Sequence, residues 1–129
     1  MQLKEVRAAL AKVADLPVSP AGRICVAVKL GLRGHRVRVL SAGDWLRVQG
    51  RVARVGNTDT APATKDLARR ILERNFAKEA VGLVREGEWL LVRCDLPPEA
   101  DERELVDAIR RVARVADREE LLWTGGDVE

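Results

Sequence analysis

This chain has no tyrosine, one phenylalanine, one histidine and two each of cysteine, asparagine and glutamine. Each scarcity excludes something. Cys25 and Cys94 lie far apart, each inside an apolar run, and with His35 they cannot supply the closely spaced nitrogen and sulfur ligands of a zinc site. Both cysteines read as reduced, small, buried hydrophobes. No stretch approaches the roughly 18 uninterrupted apolar residues of a membrane span. The opening residues, Met1 to Arg7, are amphipathic without the apolar centre of an export signal. A cytoplasmic protein without metal, cofactor or membrane association is therefore expected.

Catalytic signatures are equally sparse. His35 stands between Gly34 and Arg36, reads as a turn residue, and has no serine or cysteine beside it in a nucleophile motif. Gly31 and Gly34 lack the strand-to-helix setting and the lysine of a phosphate loop. Glu86 and Glu88 fall at a turn, and Asp101, Glu102 and Glu104 at a helix start, where acids complement the helix dipole. No enzyme is expected.

What is present is a 129-residue chain that is 47% apolar and 33% charged, enough for one domain with a continuous core. That domain is expected over residues 1–123, followed by a flexible tail over residues 124–129. The net charge of +3 is unevenly spread. Residues 23–54 hold eight basic side chains against the single acid Asp44, whereas residues 86–129 hold thirteen acids against six arginines. Such a split fits complementary surfaces within one subunit, across a subunit interface, or with a partner.

Leu3, Val6, Leu10 and Val13 recur at helical spacing, and the Pro17 to Gly22 stretch ends that helix. Alternation of Ile24, Val26, Val28 and Leu30 marks a strand, and residues 31–34 its turn. A second strand carries Val37 and Val39. Residues 45–55 form a third, with Gly50 a bulge or bend. Thr64 is an N-cap for a helix presenting Leu67, Ile71, Leu72, Asn75 and Phe76. A hairpin follows, with strands over residues 80–85 and 89–96 around Glu86-Gly87-Glu88. Asp101 and Glu104, at capping-box spacing, open a last helix running through Leu105, Ile109 and Val112 to Leu122. The order α-β-β-β-α-β-β-α predicts an α+β fold, an antiparallel, twisted sheet with helices on one side.

From Leu67 to Trp123, the Ile71-Leu72-Glu73-Arg74-Asn75-Phe76 helix end, the Val81-Gly82-Leu83-Val84 strand, the strand closing in Asp95-Leu96-Pro97 and the helix from Glu102 resemble the YbjN family and the type III secretion chaperones of the Tir-chaperone type. The resemblance implies a chaperone-like fold, a homodimer, protein binding without catalysis, and a chaperone-like or regulatory role. It also makes Leu67, Ile71, Asn75 and Phe76 dimer-interface candidates. Secretion chaperones are usually acidic, whereas this chain is basic through its first three strands, which favours the YbjN-like branch.

If the valines and leucines of the strands face the helices, alternation places Arg36, Arg38, Trp45, Arg47, Arg51, Trp89, Leu91 and Arg93 on the opposite face. Tryptophan and arginine are the side chains of protein-interface hot spots. Cations beside aromatic planes also suit nucleic acid, although no RNA-recognition sheet motif is legible. An unidentified protein partner is the leading expectation, nucleic acid the alternative, and a solvated face the plain one.

Overall fold

Alternating β-branched residues separated by glycine turns build most of this molecule. The computed structural model describes residues 1–54, 69 and 81–124. Helix α1 spans Leu3–Leu10, and the strands are β1 (Ile24–Leu30), β2 (Arg33–Ala42), β3 (Trp45–Arg54), β4 (Gly82–Glu86) and β5 (Trp89–Leu96). Helix α2 spans Glu102–Thr124. The five strands form one sheet in the order β1-β2-β3-β5-β4, with every neighbouring pair antiparallel. This is an α+β fold.

Tight turns fix the registers of the hairpins. The closing pairs Leu30↔Arg33, Ala42↔Trp45 and Glu86↔Trp89 leave two-residue loops, each beginning with a glycine at positive φ (67°, 62° and 62°). Primed two-residue turns demand that conformation, because their twist matches that of the strands they join. The first turn is thus shorter than expected, since Arg33 and Gly34 already belong to β2. His35 is consequently a strand residue rather than a turn residue.

One face of the sheet supplies the core. Val26, Val28, Val37, Val39, Leu46, Val48, Leu90 and Val92 are buried there with Val6, Ala9 and Leu10 of α1 and Leu105, Ile109 and Val112 of α2. Asp101 caps α2 by accepting a hydrogen bond from the Glu104 N–H at 2.9 Å, and Glu102 and Glu104 place negative charge in its first turn. Burying Leu105 and Ile109 contributes roughly 1.5–3 kcal/mol each. Small residues let α2 settle close to β3. A Cβ on Gly50 would lie 3.3 Å from the Ala116 Cβ and 3.4 Å from Val112 Cγ1, so glycine there answers to helix packing. The bulge expected at Gly50 falls just beyond it, between Arg51 and Ala53.

The segment after α1 does more than end a helix. The Ala27 N–H donates to the Pro17 carbonyl at 3.1 Å and the Ser19 N–H to the Cys25 carbonyl at 2.9 Å, covering part of the β1 edge. Arg110 holds Asp15 at 2.8 Å and Lys12 holds Glu102 at 3.1 Å, tying that segment to α2. The two cysteines face opposite ways. Cys94 pairs with Val48 on the core side, where burial pushes its thiol pKa up, while Cys25 pairs with Arg38 on the outer face and is only half-buried.

The helix expected over residues 64–76, with Leu67, Ile71, Asn75 and Phe76, lies outside the described residues apart from Arg69, which is helical. The expected tail lies outside them too, except that Thr124 closes α2.

Candidate functional site

Strand alternation carries every residue of the expected binding face to the outer side of the sheet, away from the core that α1 and α2 share. Cross-strand pairs on that side are Cys25↔Arg38, Ala27↔Arg36, Arg38↔Gln49, Arg47↔Asp95, Gln49↔Arg93, Arg51↔Leu91 and Arg54↔Trp89. The bulge at Val52 puts both Arg51 and Arg54 on this side, three positions apart, which strict alternation forbids. Their companions Leu91 and Trp89 sit beside them on β5.

Along β3 and β5 most arginines have acid partners. Arg47 forms a two-point pair with Asp95 at 3.0 and 3.2 Å, and the hydrogen bonding to that carboxylate raises the Arg47 pKa further. Arg93 donates to Gln49 Oε1 at 3.1 and 3.2 Å and also to Glu86. Arg54 reaches Glu88 at 2.8 Å. With Arg33 and Asp117, these contacts join the basic first three strands to the acidic C-terminal part within one subunit.

Toward β1 and β2 the pattern changes. Arg23, Arg36, Arg38 and Arg51 line a cavity of about 460 Å³ together with Cys25, His35, Gln49, Leu91 and Glu120. None of these four guanidiniums meets a carboxylate among the described residues. Arg51 instead lies over the Trp89 ring, 4.1 Å from its centroid, a cation–π contact of about 0.5–1 kcal/mol at an exposed site. Arg38 Nε is buried without a hydrogen-bond partner among the described residues, which costs about 1–3 kcal/mol. The cavity's apolar side comes from Leu91, only 4% exposed though it stands apart from the core cluster, and from Cys25.

His35 braces this cavity from behind. It shares the core side with Val37 and Val39 and is 9% exposed. Its Nε2 donates to the Arg51 carbonyl at 2.7 Å, next to the bulge, and its Nδ1 lies 3.7 Å from Glu120 Oε2. Because a carbonyl only accepts, Nε2 must carry a hydrogen. The sequence reading missed this role, as it missed Arg23 and Gln49 as wall residues. The phase of His35 with the core valines was the available signal.

The two outer-face tryptophans do not come together. Trp89 pairs with Arg54 at one end of β3, whereas Trp45 begins that strand, roughly 25–30 Å away at about 3.3 Å per residue. Trp45 is 46% exposed and shares a second surface hollow with Met1, Lys4, Asp44 and Pro98. Among the described residues no three of His, Cys, Asp and Glu cluster as metal ligands, and no helix is long and apolar enough to cross a membrane. The chain matches no protein-family model, and no curated protein matches it.

Proposed function

We propose that this protein is a non-enzymatic protein-binding domain, chaperone-like or regulatory in the YbjN manner, that acts as a homodimer and meets its partner through the outer face of the sheet. The observation that carries this reading is the company kept by Leu91. A buried leucine and Trp89 stand beside Arg51 and Arg93 on a face that neither described helix covers. Aromatic and arginine side chains around an apolar centre are the composition of interface hot spots. The family resemblance supports the dimer, with Leu67, Ile71, Asn75 and Phe76 as its candidate contacts.

Light scattering at micromolar concentration should report a dimer, and affinity purification should recover a protein partner with the wild type that the double variant R51E/W89A loses. A monomer that recovers no partner rejects the reading.

A second reading, single-stranded nucleic acid, draws support from Arg36, Arg38 and Arg51, which meet no carboxylate among the described residues. The separation of Trp45 from Trp89 weighs against a continuous stacking platform. Tryptophan quenching by oligonucleotides that weakens steeply with salt would select it.

A further inference from the structure

The cavity between β1, β2 and β3 stands out because four arginines and a single acid, Glu120, line it, an excess of positive charge from which a folded chain gains nothing. On the outer face Arg36 and Arg38 are two residues apart on β2, about 7 Å, and the β2–β3 register carries Arg51 alongside Arg36. Like charges facing one another across strands destabilise a sheet. Elsewhere on this face the same problem is solved by Asp95, Glu86 and Glu88. Here no carboxylate among the described residues meets the four guanidiniums, and Arg38 Nε has been taken out of water with nothing to donate to.

We infer that this cavity is a binding site for a phosphate-bearing organic anion of about nucleotide size. The charge calls for an anion with several oxygens, and guanidinium forks match phosphate oxygens two at a time. The volume of about 460 Å³ lies within the range of small-molecule sites, well above what a lone inorganic ion fills. Leu91 and Cys25 supply an apolar wall for the organic part, and Gln49 adds a neutral polar group. Two contacts hold the site in shape without spending the arginine donors. The Trp89 ring steadies Arg51 from one side, and His35 fixes the backbone beneath it. Bound ligand would satisfy Arg38 Nε and screen the repulsion between Arg36 and Arg51.

The cavity shares Leu91 and Arg51 with the face proposed for a protein partner, but it lies within a single subunit, so its ligand is tested with no partner present. The test is calorimetric titration of the full chain with ATP, pyrophosphate and citrate at about 50 mM salt. ATP and pyrophosphate are expected to bind, ATP more tightly because its base meets the Leu91 wall, and citrate more weakly than either. R38A and R51A should each weaken ATP binding about ten- to hundredfold, the loss of one charge-assisted contact set. R38K should recover only part of that loss, because lysine keeps the charge but not the fork. R47A, on the same face but paired with Asp95 outside the cavity, should change affinity by less than about twofold. Since Arg38 Nε is buried without a hydrogen-bond partner among the described residues, R38A should melt at or above the wild-type temperature, which separates a binding effect from unfolding. Absence of ATP and pyrophosphate binding at millimolar concentration overturns the inference. So does citrate binding as tightly as pyrophosphate, or R47A losing as much as R38A, since either result means unspecific attraction to a basic surface.

Discussion

The two halves of the outer sheet face belong to the same sheet and carry the same residue type, yet they stand in opposite electrostatic conditions. On the β3–β5 side, Arg47, Arg54 and Arg93 each have a carboxylate partner. On the β1–β2 side, Arg36, Arg38 and Arg51 share a cavity and have none among the described residues. The difference arises from neighbours. β5 and the turn before it bring Asp95 and Glu88 to β3, and β4 brings Glu86 to Arg93, whereas β1 brings Cys25, Ala27 and Lys29 to β2. Arginine on a sheet is therefore not by itself a sign of binding. What distinguishes the second group is that no carboxylate among the described residues pairs with it.

The largest effect expected from testing this contrast comes from beneath the boundary between the halves. Gly50 lies between Arg47 and Arg51 on β3, and a side chain there meets Ala116, Val112 and the His35 ring. G50V should lower stability in urea by about 1–3 kcal/mol through overpacking and disturb the cavity wall first. An unchanged midpoint would show that α2 does not need that close approach. A smaller effect is expected from D95A, which makes the compensated half resemble the other. The variant should elute from a heparin column at higher salt than the wild type and lose no more than about 1 kcal/mol of stability. Equal retention would mean that pairing does not separate the halves. The smallest effect concerns a compensated pair away from the face. Hydrogen bonding from Arg110 lowers the Asp15 pKa. A depressed folded-state pKa contributes stability that is present above the unfolded value of about 3.9 and lost as pH falls through the folded value. Wild type should therefore melt slightly above D15N at about pH 7, and the gap should narrow as pH falls below about 3.9. A gap that widens on acidification would contradict the pairing.

Much of this could be read before any coordinates. Val26, Val28, Val37, Val39, Leu46 and Val48 announce their common face because side-chain direction alternates strictly along a strand. Asp101 and Glu104 announce the start of α2 because a cap acts over three residues. His35 looks like a turn residue in the sequence because Gly31 and Gly34 flank a four-residue stretch, whereas the turn takes only two residues and leaves His35 in β2. Arg51 and Arg54 required the bulge at Val52, whose position depends on the partner strand. The grouping of Trp45 with Trp89 was right about the side of the sheet and silent about distance along it, since alternation carries no information on how far apart two strands' residues end up.

By itself the sequence determined the elements, their faces and the two charge blocks, because each depends on contacts within a few residues along the chain. Only the tertiary structure decided that β5 rather than β4 lies against β3, and with it which arginines find carboxylates. Strand order is set by which distant segments bury their apolar faces together, and no local rule encodes that pairing. Among the described residues, the arginine-lined cavity is what remains after the sheet has made its matches.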